Sequence, residues 1–103
     1  MIIQLNTDSH IKGDESLASH VETVVEGVLG RFSGQITRVE VHLSDVNAGK
    51  AGSNDKHCTM EARVDGRPPA AATEDAETVR DAINGAAHKL KRVLDSSLGK
   101  LGK

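Results

Sequence analysis

Aromatic side chains are almost absent from this chain of 103 residues, which has one phenylalanine and neither tryptophan nor tyrosine. The core must therefore be assembled from valine, isoleucine, leucine, methionine and alanine. Proteins that bind single-stranded nucleic acid usually stack the bases on aromatic side chains, and this chain offers no such platform. Any contact with nucleic acid would therefore go mostly through phosphate and sugar.

Disulfide bonds, long apolar segments and a net positive charge are also missing. The single cysteine, Cys58, has no partner within the chain, which fits a reducing compartment. The N-terminus has no basic stretch followed by an apolar run, and no segment approaches the length of a membrane span, so a cytoplasmic protein is expected. The formal net charge is −2, so RNA binding would depend on how the charges are distributed.

Hydrophobic periodicity predicts two helices and four strands. In the first helix, which Asp14 caps, an apolar stripe recurs at helical spacing, with Val25 on its flank; the stripe consists of Leu17, Val21, Val24 and Val28. The second and third strands alternate apolar and polar residues, and a polar loop with two glycines separates them at 47–55. The predicted strands are 2–6, 37–44, 57–64 and 70–73, and the second helix is 75–98.

This order, β-α-β-β-β-α, predicts an α+β fold in a single domain, 1–103. Three consecutive strands with short connections indicate an antiparallel meander, and each helix has one apolar stripe to bury. The second helix buries the stripe Val79, Ile83, Ala86, Ala87, Leu90 and Leu94. The simplest arrangement is a two-layer sandwich in which both helices pack on one face of a four-stranded sheet, and the other face is open to solvent.

Two sets of basic residues are candidates for phosphate contact. With Ile83 facing the core, a basic stripe bordered by small residues is expected on the opposite face of the last helix: Gly85, His88, Lys89, Arg92 and Ser96. Bases near a helix C-terminus also simply complement the helix dipole. The second set, Arg38, Lys56, Arg63 and Arg67, is expected on the open sheet face or its rim, where Glu40 and Glu61 would form cross-strand ion pairs.

Three segments, in this order, carry a resemblance to a known family. They are RVEVHL at 38–43, CTMEARV at 58–64 and DAINGAAHKLKR at 81–92. The whole chain resembles the ribosome hibernation-promoting factors, also called protein Y or sigma-54 modulation proteins. The chain stops at Lys103, so the resemblance is to the short form of the family, without a C-terminal dimerisation domain.

The resemblance implies a function without catalysis or cofactors. Such proteins bind the 30S subunit or the 70S ribosome, on 16S rRNA in the channel for messenger and transfer RNA. They keep idle ribosomes silent in stress or stationary phase, in some cases with a partner protein for ribosome dimerisation. On the matched positions, the resemblance assigns rRNA contact first to Lys89 and Arg92, and then to Lys91, Arg38, Lys56, Arg63 and Arg67.

Two other classes of function stay open at this point. The negative net charge and the acidic outer face of the first helix (Glu15, Glu22, Glu26) favour a stress-associated protein-interaction module that keeps the fold without binding rRNA. A transition-metal site is conceivable if His42 and His57 lie close together on the open sheet face, with Glu40 or Glu61 as a third ligand. No catalytic spacing stands out, and Cys58 is expected to be a core residue.

Overall fold

A computed structural model describes residues 1–46 and 55–99 of the chain, so the predicted loop at 47–55 lies outside the described residues except for Asp55. The elements follow the predicted order: strands β1 (Ile2–Thr7), β2 (Ile36–Asp45), β3 (Lys56–Val64) and β4 (Ala70–Ala76), and helices α1 (Glu15–Leu29) and α2 (Val79–Gly99). A 3-10 turn, Gly30–Phe32, follows α1 directly.

The four strands form one sheet in the order β1-β2-β3-β4. Strands β2, β3 and β4 are antiparallel neighbours, which confirms the predicted meander. Strand β1 is parallel to β2, with Leu5 opposite Val41. Parallel neighbours need a crossover connection, and α1 is that crossover. The sheet is therefore mixed, and the two-layer α+β arrangement is as predicted.

Helix α1 is rotated relative to the predicted stripe. Its N-terminus is capped as expected, because the Asp14 carboxylate accepts the Leu17 N–H at 2.9 Å. The fully buried residues are Val21, Val25 and Leu29, whereas Leu17, Val24 and Val28 are only partly buried. The placement of Val25 on the flank was wrong. Two adjacent rows of valines satisfy the same periodicity, and packing against the rest of the core decides between them.

The boundary between β4 and α2 differs from the prediction of a helix starting at 75. Strand β4 continues to Ala76, and the Thr78 hydroxyl caps α2 by accepting the Asp81 N–H at 3.1 Å. Acidic residues are common in the first turn of a helix, and the sequence has Glu74 and Asp75 at this point. They extend the strand instead, because Asp75 lies opposite His57 of β3 and Glu74 lies opposite Cys58.

The core lies between the inner face of the sheet and the two helices. Strand residues alternate as predicted, and Ile83, Leu90 and Leu94 of α2 are fully buried with Ala82, Ala86 and Ala87. The one aromatic residue, Phe32, is 3% exposed and belongs to this core. Within the described part of the chain, no helix is long and apolar enough to cross a membrane.

Candidate nucleic-acid interface

Lys89 is engaged by Glu74, an acid of β4. Its ammonium group lies 2.6 Å from a Glu74 carboxylate oxygen, and the two side chains are 49% and 30% exposed. Glu74 lies against Gly85 of α2, where an added Cβ would meet the Glu74 carboxyl carbon at 2.8 Å. The missing side chain at Gly85 therefore leaves room for Glu74 on the helix. Lys89 lies on the flank of α2 that faces β4 rather than on its outermost line.

Arg92 and Lys91 form no ion pair with any residue in 1–46 or 55–99. The nearest acid along the helix, Asp95, instead pairs with Arg31 at 3.1 Å. Arg92 is exposed, and so is His88 one turn before it, whose ring nitrogen bonds the Asn84 carbonyl. The Arg31–Asp95 pair therefore leaves the charges of Lys91 and Arg92 available to a partner.

Arg67 lies at the same end of the molecule as the C-terminal half of α2. It belongs to the turn between β3 and β4, in which Gly66 has a φ of 74°, and its N–H donates to the Val64 carbonyl at 3.1 Å. Arg67 also lines a cavity of about 240 Å³ together with Val93 of α2. The turn and the helix thus place Arg67 beside the segment that carries Arg92.

On the open sheet face, Arg63 is already neutralised. Like charges lie directly opposite each other there, since Arg38 faces Arg63 and Glu40 faces Glu61. Arg63 pairs diagonally across the strands with Glu40, whose carboxylate lies 3.4 Å from the Arg63 Nε, and along its own strand with Glu61 at 3.6 Å. The expected cross-strand ion pair is confirmed for Arg63. Arg38 has no such pair among the described residues, and its buried Nε has no hydrogen-bond partner there.

Lys56 was predicted on the open sheet face or its rim, and it lies at the end of β3 with its side chain on the helix side of the sheet. Lys56 and Cys58 are two residues apart on β3, so their side chains point to the same face of the sheet, the helix side. There Lys56 lines a cavity with Leu17 and Val79. Its ammonium group lies 3.2 Å from Asp45 and 3.3 Å from Asp55. The hydrogen bond to Asp45 is the main cause that raises the pKa of Lys56. This residue lies at the opposite end of β3 from Arg67.

The histidines of the open face are diagonal neighbours rather than partners. His42 lies opposite Thr59, and His57 lies opposite Ser44. Both ring nitrogens of His57 are engaged, because Nδ1 lies 2.6 Å from Asp75 and Nε2 lies 3.2 Å from the Thr59 hydroxyl. In residues 1–46 and 55–99, no group of three or more His, Cys, Asp or Glu is arranged to hold a metal ion.

Cys58 is a core residue, as predicted. Its side chain is fully buried, and burial raises the pKa of the thiol to about 12. The thiolate is the nucleophilic and metal-binding form of cysteine, and burial disfavours that form here.

The C-terminal half of α2 thus carries Lys91 and Arg92 at the end of the molecule where the Arg67 turn lies, and Lys89 lies at the middle of the helix beside Glu74. Arg38 and Arg63 lie on the other face of the sheet, and Lys56 lies at the far end of β3. Sequence reasoning missed Glu74 and the cavity beside Arg67. The ion pair of Glu74 joins residues on different elements, and no local spacing signals it. The cavity arises only where the Arg67 turn meets α2.

Comparison with known proteins agrees with this fold. The structure is similar to a ribosomal subunit interface protein from Coxiella burnetii (TM-score 0.75, 14% identity, covering 96% of this chain and 99% of that one). It is also similar to the N-terminal domain of Protein Y from Thermus thermophilus (TM-score 0.74, 16% identity, 94% and 99% covered). No curated protein sequence matches significantly. The model of one family, described as "Sigma 54 modulation protein / S30EA ribosomal protein", matches residues 5–101. This protein therefore belongs to the sigma-54 modulation protein / S30EA ribosomal protein family.

Proposed function

We propose that this protein is a cytoplasmic hibernation factor that binds the small ribosomal subunit, as free 30S or within 70S ribosomes. It occupies the channel for messenger and transfer RNA on 16S rRNA and keeps idle ribosomes silent in stress or stationary phase. Family membership supports the association with ribosomes. A neighbour with the same fold is itself named a ribosomal subunit interface protein.

The observation that carries the proposal is the set of cations at the C-terminal half of α2. Arg92, Lys91 and Arg67 form no ion pair within the described chain and lie at one end of the molecule. Phosphate contacts of this kind dominate affinity for nucleic acid, and each neutralised phosphate adds roughly 0.7–0.9 to the slope of log K against log salt. A protein with net charge −2 can still bind RNA if its unpaired cations are concentrated on one surface.

The test is co-sedimentation with ribosomes through sucrose gradients at low and high salt. The wild-type protein is expected to migrate with 30S or 70S particles at low salt and to dissociate at high salt. Arg92→Glu should abolish this migration. The matched control is Lys12→Glu, which changes the net charge equally but lies beside the N-terminus of α2. Equal loss in both variants would mean that overall charge, not this surface, determines binding.

A protein-interaction module without rRNA affinity is the second candidate. The observation in its favour is that Lys89, Lys56 and Arg63, three of the seven cations assigned to rRNA, already have acidic partners. This candidate predicts that the protein stays at the top of the gradient even at low salt. Its binding to a protein partner would tolerate salt and would be unaffected by Arg92→Glu.

A further inference from the structure

An apolar cavity lies beside the cations of α2. Its volume is about 240 Å³, and it opens between the turn after β3 and the C-terminal half of α2. Its lining is mostly carbon and includes Pro68, Pro69 and Val93, with Arg67 and Ser97 as the polar members. Val93 is 40% exposed, one of few large apolar side chains at the surface of the described chain. The cavity is therefore an accessible apolar surface with Arg67 in its wall.

We propose that this cavity receives one unpaired base of the RNA while the neighbouring cations contact the phosphates. The inference rests on the proposed function, because it names how the same surface meets RNA. It would make the interface selective for single-stranded over duplex RNA, which phosphate contacts alone do not achieve.

One row of α2 residues leads to the cavity wall. Gly85, Lys89, Val93 and Ser97 follow one another at intervals of four residues, so they form one row along the helix. Lys89 precedes Val93 by about 6 Å along the axis. Arg92 is adjacent to Val93 in the chain and is exposed. Arg67 in the lining and Arg92 next to Val93 therefore supply cations beside the apolar cavity, an arrangement that suits a base next to its own phosphate.

This cavity offers an arginine and apolar walls to a base in a chain whose one aromatic ring is buried. Unpaired bases in RNA complexes stack on aromatic rings or on arginine guanidinium planes. The one aromatic ring, Phe32, is 3% exposed, and the Arg31 guanidinium lies over it at 5.0 Å. Arg67 is the arginine of the cavity lining, and the two prolines supply rigid apolar walls. At about 30 Å³ per water molecule, the volume holds several waters, which a planar base would displace.

Charge complementarity favours RNA over an apolar protein segment as the occupant. An apolar protein segment would gain nothing from the charges of Arg67 and Arg92, whereas a nucleotide uses both the apolar and the cationic surface. RNA is therefore the occupant that accounts for both properties.

The experiment compares two RNA probes by fluorescence anisotropy. One is a short oligouridine, and the other has the same length and phosphates but no bases at its central positions. The wild-type protein should bind oligouridine about fivefold tighter or more, as expected for one stacked base. Ser97→Leu fills the cavity and should bring the ratio close to one. Ser96→Leu makes the same change on the neighbouring exposed residue and should keep the wild-type ratio.

Arg67→Ala is the second variant, because it lies in an exposed turn and leaves the core intact. It should also reduce the preference for bases. A wild-type ratio of one, or an undiminished ratio in both Ser97→Leu and Arg67→Ala, would overturn the proposal. Ribosome co-sedimentation keeps the two proposals apart. Salt-sensitive ribosome binding with no base preference would refute the cavity alone, and base preference without ribosome binding would refute the hibernation function alone.

Discussion

Glu74 competes with phosphate for Lys89, and replacing it tests this reasoning. The variant Glu74→Gln keeps the shape of the side chain over Gly85 but removes the charge that lies 2.6 Å from the Lys89 ammonium. In the wild-type protein, a phosphate that contacts Lys89 must displace or share this carboxylate. We therefore expect Glu74→Gln to bind ribosomes more tightly than the wild-type protein.

The expected gain follows from the exposure of the pair. Lys89 is 49% exposed and Glu74 is 30% exposed, and ion pairs near the surface contribute about 0.2–1 kcal/mol. Releasing Lys89 should therefore strengthen binding by at most about fivefold. If Lys89 then neutralises one further phosphate, the plot of log K against log salt should steepen by roughly 0.7–0.9.

The assay is ribosome binding at three salt concentrations between 50 and 200 mM, values at which phosphate contacts change affinity by about an order of magnitude or more. The control is Glu22→Gln, which removes the same charge from the exposed face of α1. The reasoning is refuted if Glu74→Gln and Glu22→Gln change affinity and salt slope equally, since only the overall charge would then matter.

Two further predictions concern titratable side chains in the folded protein. The pKa of His20 is lowered by its desolvation and by the charge of Arg80, so the folded protein binds a proton there less readily than the unfolded chain. The free energy of unfolding should therefore decrease as the pH falls below about 6.5, the pKa of histidine in the unfolded chain. Urea denaturation at pH 7.5 and 5.5 should show a smaller decrease in His20→Gln than in the wild-type protein. An equal decrease in both proteins would contradict this cause. Because burial raises the pKa of the Cys58 thiol to about 12, a thiol reagent at pH 8 should label the protein only after unfolding, and rapid labelling of the native protein would contradict the placement of Cys58 in the core.

Most of the fold could be predicted because the relevant signals are local. The alternation in β2 and β3 identifies Val39, Val41 and Met60 as inward residues without knowledge of any contact. The row that α1 buries could not be predicted, because Val24 and Val25 fit the same period. Packing against the sheet and α2 selects Val25.

The candidate interface was less predictable, because its properties depend on contacts between distant segments. The sequence shows that Lys89 and Arg92 share the outer half of α2. It does not show that β4 extends to Ala76, which places Glu74 on Lys89 while Asp95 pairs with Arg31. Lys56 and Arg92 are both predicted from the sequence to contact rRNA, but in the structure Lys56 lies between two carboxylates, those of Asp45 and Asp55.

The position of β1 as a parallel edge strand affects the order in which parts of the protein unfold locally. None of its residues is fully buried, and it joins the sheet only along β2. Pairing β1 with β2 requires the chain to close over residues 8–35, whereas residues 65–69 suffice to join β3 to β4. Local opening should therefore begin at β1, and amide hydrogens should exchange there before those of β3. The Arg67 turn, Glu74 and α2 all belong to the later-opening part, so the proposed RNA surface can persist while the N-terminal strand frays.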